Sequence, residues 1–379
     1  MKFGPIKIER ILTFDILRGF FLVVIILNHL YYYPNGLDWL TGRGHLYVSS
    51  AEGFFLISGI MLGLVRGRKL IDKPLAAASK LVIKRALQLY AVFVVLTLAY
   101  TFIAWAIVGQ PGLKWGFAPL DTPIYELIWN TLSMQYLYGW VDFLRMYVVF
   151  MLATPLALWL LRRGWWYVVL IASGFIWTLF PDNTTFSEGF MLMPISWQLV
   201  FFTGLVIGFH WPEITAAWRK LWPRARVAAG VLLVVAMIGS MLWSAGLVFG
   251  NRLDSEQAVK WADTHREIEY ENFDKNRLPI PRLVLGAVWF WALFWLLRRY
   301  ESWFKKTIGW LLVPLGQNSL YVYIVHSAIV FGLHFIWFPQ YREVQSLSKL
   351  PINLALSIVA VLVIWYLVKR QVWFRFIPR

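Results

Sequence analysis

The stretch FDILRGFFLVVIILNHL places three ionisable residues, Asp15, Arg18 and His29, in an otherwise apolar run. Arg18 and His29 are 11 residues apart. On an α-helix that is three turns plus about 20° and a rise of roughly 16 Å, so one face carries a guanidinium low down and an imidazole higher up. A guanidinium suits phosphate or carboxylate, and an imidazole titrates near neutrality and can take a proton from a hydroxyl. Asp15, three residues before Arg18, can pair with it on the same surface. The plainer reading is an interfacial ion pair with a histidine at the helix end.

A second apolar run opens SSAEGFFLISGIMLG. Glu52 stands at its start, at a depth that would match His29, and a carboxylate beside an imidazole raises its basicity and fixes its tautomer. The rival role for Glu52 is a helix N-cap. Gly53, Ser58, Gly59 and Gly63 are small enough for the first helix or a ligand to approach. His45, in the sequence GRGHLY, is a second candidate base.

Further along, GQNSLYVYIVHSAIV buries Asn318, Ser319, Tyr321, Tyr323 and His326 in an apolar segment, where such groups must find hydrogen bonds. They either face a cavity, as oxyanion or acceptor contacts, or tie helices together. Arg145, Trp197 and Gln198 sit where they could touch a carbohydrate or simply mark an interface. Seven cations, Arg66, Arg68, Lys69, Lys73, Lys80, Lys84 and Arg85, surround the gap between the second and third apolar runs. They suit the phosphates of a nucleotide-bearing donor or anionic lipid headgroups. Cysteine is absent, which removes thiolate metal sites and a cysteine nucleophile. No dinucleotide, P-loop, zinc-hydrolase or serine-hydrolase motif occurs, and no metal site is expected.

The elements that must hold these residues follow from composition. Of 379 residues, 59% are apolar and 15% charged, against about 25% charged in a soluble domain, and mean hydropathy is +0.60. The apolar residues fall into about ten runs, near 11–30, 50–66, 81–108, 141–161, 165–181, 195–211, 227–250, 281–297, 310–336 and 352–368, most of them long enough to cross a hydrocarbon core of roughly 30 Å. The expectation is an all-α, polytopic transmembrane bundle forming a single integral-membrane domain over 1–379. Placing the N-terminus inside puts 24 Lys/Arg and 4 Asp/Glu on the inner side, and 11 Lys/Arg and 15 Asp/Glu on the outer side. The net charge of +16 is therefore a positive-inside signature, not a nucleic-acid footprint, and both termini are expected in the cytoplasm. Residues 251–280 are the long outer hydrophilic loop, helix-permissive in composition, and 123–135 predicts an amphipathic or re-entrant helix.

The first two runs resemble the opening of the membrane acyltransferase superfamily: an acid, an Arg-Gly pair, a histidine, then an acid followed by Phe-Phe and Ser-Gly. Here these are Asp15, Arg18, Gly19, His29, Glu52, Phe54, Phe55, Ser58 and Gly59. The Ala-Glu form of the second motif, FLRMYVVFMLATPLALWLL at 143–161, SWQLVFFTGLVIG at 196–208, NRLPIPRLVLGA at 276–287 and GQNSLYVYIVH at 316–326 resemble the OpgC type, associated with succinylation of osmoregulated periplasmic glucans. In the third run, where the superfamily often has Arg-x-x-Arg, the sequence reads KLVIKRALQLY.

The resemblance implies His29 as catalytic imidazole and general base, Glu52 as its acidic helper, and Arg18 and Arg85 on the donor route, with Asp15, Ser58 and Lys84 grouped there. It implies a cytosolic acyl-CoA, succinyl or acetyl, as co-substrate with no tightly bound cofactor. The acceptor is a hydroxyl of an extracytoplasmic glucan or other glycan, and the setting is a multi-pass bacterial inner-membrane protein among lipids. A succinyl group would want a cation beside its free carboxylate, and Arg43, Arg145, Lys275 and Arg282 all qualify. An acyl-histidine intermediate stays open. The rival from another class is a glycan transporter or flippase using His29 as a proton relay.

Overall fold

The structure, a computed structural model, describes residues 10–44, 46–107, 117–182, 184–245, 256–336 and 347–375. Among these residues every regular element is helical. His45 lies outside them. The helices are α1 (Leu12–Leu30), α2 (Ser50–Leu62), α3 (Leu75–Ala106), α4 (Ile124–Leu132), α5 (Asp142–Arg162), α6 (Trp166–Thr178), α7 (Phe186–Phe209), α8 (Trp211–Lys220), α9 (Pro223–Ser244), α10 (Glu256–Asn272), α11 (Ile280–Arg299), α12 (Glu301–Thr307), α13 (Gly309–Gln317), α14 (Ser319–Ile336) and α15 (Leu350–Lys369).

Eight of the described helical stretches are long and apolar enough to cross a membrane, and α2 reaches that length by running on through a wide turn at Gly63–Arg68. The pair α13 and α14, bent by 97° at Asn318, passes the same test when taken together, as a broken span or a re-entrant loop. The expected run at 165–181 yields only the 13 residues of α6, about 20 Å of helix against a core of roughly 30 Å. Charge and hydropathy mark a segment as apolar; they do not fix where its hydrogen-bond ladder ends.

Two crossings hold the centre together, and glycine permits both. A Cβ built on Gly59 or Gly63 would lie 2.0 Å from the Phe201 carbonyl oxygen or 2.1 Å from that of Leu205, and one on Gly204 or Gly208 would lie 2.3 Å from Leu56 O or 1.9 Å from Ile60 O. The backbones of α2 and α7 therefore touch through two facing small-xxx-small stripes, the packing by which helices associate without a hydrophobic driving force. Gly59 and Gly63 thus serve α7; of the small residues in α2, Gly53 is the one against α1, facing the Phe21 ring. In the second crossing Gly19 of α1 abuts Leu312 O and Gly316 of α13 abuts Asp15 O. That contact brings the start of α14 beside Arg18.

The remaining elements match their composition. α4 buries Leu127 and Thr131 and exposes Tyr125 (77%) and Trp129 (67%), an amphipathic helix suited to a lipid interface. α9 is largely exposed along its apolar length, as expected of a lipid-facing helix. The hydrophilic stretch at 251–280 contains the polar helix α10.

Candidate active site

Side by side, α1 and α14 carry matching polar stripes. Ser319, Tyr323 and His326 recur at spacings of four and three on α14 and so share a face. Arg18 Nη2 donates to Ser319 Oγ, and His29 meets His326 further along, with Nδ1 and Nε2 2.9 Å apart and the rings stacked at 5.2 Å. The far nitrogen of His326, Nδ1, lies on the Tyr323 carbonyl oxygen. A carbonyl only accepts, so His326 Nδ1 carries a proton, and in the neutral ring Nε2 is then the acceptor. His29 Nδ1 is then the donor, and the lone pair of neutral His29 falls on Nε2. A backbone carbonyl thus dictates, through one imidazole, the tautomer of the next. Trp140 flanks His29 at 6.1 Å and also packs against His334 at 4.9 Å.

Glu52 is elsewhere engaged. Its Oε1 accepts from Arg282 Nε and Nη2, both at 2.5 Å, and its Oε2 accepts from the Ser49 amide at 3.1 Å and hydroxyl at 2.5 Å. Both partners of this ion pair are buried. The cap reading of Glu52 therefore describes its contacts, and the expected Glu52–His29 hydrogen bond does not form. Depth along the membrane matched, but the rotation of α2 is set by its glycine face on α7, which points Glu52 at α11 instead. Similarly, Asp15 bonds Arg10 Nε at 2.6 Å, not Arg18.

A cavity of about 550 Å³ opens among Arg18, Arg66, Lys84 and Arg85, with no acidic residue in its lining. Ser58, Tyr147 and Ser319 add hydroxyls to its wall. Four of the five residues grouped as donor-side, Arg18, Ser58, Lys84 and Arg85, thus line one space; Asp15 does not. The cavity runs as far as Tyr323 and Phe143. The Tyr323 ring lies 4.8 Å from that of His326, and its hydroxyl donates to Asp142 Oδ1 at 3.2 Å. His29 is not among the lining residues, and Tyr323 is the residue that joins the wall of the cationic cavity to the imidazole pair.

Within electrostatic reach of His29 lies the loop between α10 and α11, which the sequence singled out through Lys275 and the opening of NRLPIPRLVLGA. Its carbonyls are fastened one by one: Phe273 O by Arg282 Nη1 at 2.5 Å, Lys275 O by Trp197 Nε1 at 3.0 Å, Asn276 O by the Ser196 hydroxyl and Leu278 O by Trp177 Nε1 at 3.0 Å. Phe273 also stacks on Tyr47 at 4.3 Å. Lys275 keeps solvent-accessible surface, yet burial is the main influence on its ammonium, pushing its pKa below the usual range against the pull of Asp142 and Glu52. A side chain that water can reach while protein surrounds it lines a solvent-open recess. Its charge acts on His29 and on Asp142. Nearby, burial pushes the Glu269 carboxyl up to about 7, with Arg282 opposing.

The other expected acceptor or oxyanion residues have settled partners, except that the buried Tyr321 hydroxyl has no hydrogen bond among the described residues. Asn318 donates its amide to Pro314 O at 2.9 Å and so satisfies the bend between α13 and α14. Tyr321 packs against Phe374 at 4.6 Å, outside the cavity lining. Arg145 donates to Phe190 O at 3.0 Å and to Met191 Sδ at 3.2 Å. Gln198 is occupied by Ser173 on both ends, and Trp197 is the buried post that holds Lys275. No group of three or more metal-ligating side chains occurs among the described residues.

Comparison with curated proteins returns no match, nor does comparison with solved structures. The sequence does match one family, described as OpgC protein, over residues 10–376, nearly its whole length. This chain belongs to the OpgC family.

Proposed function

We propose that the protein is a membrane O-acyltransferase that moves a short acyl group, succinyl by preference, from an acyl-CoA to a hydroxyl of an extracytoplasmic glucan. The observation that carries this reading is the hydrogen-bond sequence from the Tyr323 carbonyl through His326 to His29. It leaves His29 Nε2 as a free, oriented base beside a cavity lined by cations.

In this reading both termini are cytoplasmic, and the cavity among Arg18, Arg66, Lys84 and Arg85 takes the phosphates of the thioester from that side. Guanidinium and ammonium groups without an acid among them suit phosphate oxygens. The acyl end passes Tyr323, whose ring must turn to admit it. A sugar hydroxyl gives its proton to His29 Nε2 while its oxygen bonds to the thioester carbonyl carbon. The carbon–sulfur bond then breaks, the thiolate takes the proton from the imidazolium, and ester and free thiol depart. His326 holds the ring and accepts from His29 Nδ1–H throughout, the part a carboxylate plays in other imidazole bases. Glu52 and Arg282, locked together, support the site's wall and not the imidazole.

Mass spectrometry of envelope glycans from cells with and without the protein tests the reading. A protein-dependent acyl mass on the glucan is expected. Identical glycans would contradict it, and passage of unmodified glucan across proteoliposomes without any thioester would favour a transporter.

A further inference from the structure

The sequence leaves four cations as candidates for contact with a carboxylate on the acyl group, and the structure disposes of three. Arg43 is paired with Asp38. Arg282 is paired with Glu52 and also donates to Phe273 O. Arg145 has spent two of its nitrogens on Phe190 O and Met191. Lys275 differs: among the described residues its ammonium has neither an ion pair nor a hydrogen bond, although its backbone is held by Trp197.

The local charge count points the same way. Glu52 and Arg282 cancel. Asp142, which accepts from the Tyr323 hydroxyl, is acted on by both Lys275 and Arg145, so one carboxylate faces two cations. Glu269, pushed up to about 7, adds only a partial negative charge beside Arg282. One positive charge is left over within electrostatic reach of His29. A neutral acyl group would leave that excess in place, whereas an acyl group ending in a carboxylate would remove it. The four anchored carbonyls of the loop fix Lys275 within electrostatic reach of Asp142, the carboxylate that holds the Tyr323 hydroxyl on the cavity wall.

Resting on the acyl-transfer reading above, we infer that Lys275 receives the distal carboxylate of a dicarboxylic acyl group and thereby selects that class of donor over a neutral one of equal length. The loop from 273 to 279 is then a specificity device.

The test uses the full chain in proteoliposomes with a glucan acceptor and compares succinyl-CoA with butyryl-CoA, which has the same carbon count and no carboxylate. The ratio of kcat/KM for the two donors, taken within one preparation, does not depend on how much protein is folded. The native chain is expected to favour succinyl-CoA, Lys275→Met to cut that ratio by about ten-fold or more, the worth of a hydrogen bond to a charged group, and Lys275→Arg to keep most of it. An unchanged ratio in Lys275→Met, an equal loss on both donors, or a native chain indifferent to the carboxylate would each overturn the inference while leaving acyl transfer intact. A native chain that transfers neither donor would overturn the acyl-transfer reading itself.

Discussion

Replacing His326 by leucine probes the relay at the link the structure adds. Leucine is of similar bulk, so the stacking position against His29 remains filled, but the acceptor for His29 Nδ1–H is gone. Two losses follow. The neutral ring is free to move its proton to Nε2, which removes the base, and the imidazolium formed during reaction loses a charge-assisted hydrogen bond. Such a bond contributes about 1.5–3 kcal/mol, which is about 10- to 150-fold in rate. Turnover in His326→Leu is therefore expected to fall by one to two orders of magnitude with little change in donor KM, because the cationic cavity is untouched. The assay is the initial rate of transfer from a labelled thioester to glucan in proteoliposomes. The double variant His29→Ala/His326→Leu is expected to be no slower than His29→Ala alone, since His326 acts only through His29. A His326→Leu protein with native turnover, or effects of the two changes that multiply, would refute the relay.

Three further outcomes follow from other parts of the molecule. Glu52→Leu leaves Arg282 charged and buried without its partner, a loss of about 3–5 kcal/mol, while the double change Glu52→Leu/Arg282→Met should recover most of it; thermal unfolding in detergent reads both, and equal destabilisation of single and double variants would contradict the pairing. Gly208→Leu forces a side chain where a Cβ alone would be 1.9 Å from Ile60 O, and should cost about 3 kcal/mol or more, seen as a lower unfolding temperature; native stability would mean that α2 and α7 do not touch through this face. Glu269, with its folded pKa raised to about 7 from an ordinary carboxylate value, contributes stability that is fully present at acid pH and is lost as pH rises through about 7; Glu269→Gln should flatten that part of the curve, measured as unfolding temperature against pH.

Much of the bundle was legible in the sequence because hydropathy and charge report directly on a slab of hydrocarbon. Eight described helical stretches fall on expected runs, and Arg18, Ser58, Lys84 and Arg85 do share a cavity, since a stripe on one helix and cations at the mouth of the next gap constrain each other. What failed was azimuth between helices. Glu52 and His29 match in depth, but the Gly59–Gly63 face decides which way Glu52 turns, and that face shows its partner only once α7 is placed. Asp15 had two cations within reach along the chain, and spacing favoured Arg18 over Arg10. Trp197 and Gln198 read as carbohydrate contacts or interface residues because aromatic and amide side chains near a helix end suit both; here they are buried struts. His326 was visible as a buried imidazole, and its spacing from Ser319 and Tyr323 was the available sign that it shared the Arg18 stripe. Lys275 was one cation among four until the others proved to be engaged.

The proposed transfer stands or falls on His29 as the group that takes the acceptor's proton. Rates of acyl transfer by His29→Ala and by the native chain, reconstituted in equal folded amounts with succinyl-CoA and glucan, test it most directly. A loss of about 10²–10⁴-fold is expected, the usual contribution of a positioned base; transfer at the native rate would rule out that role for His29.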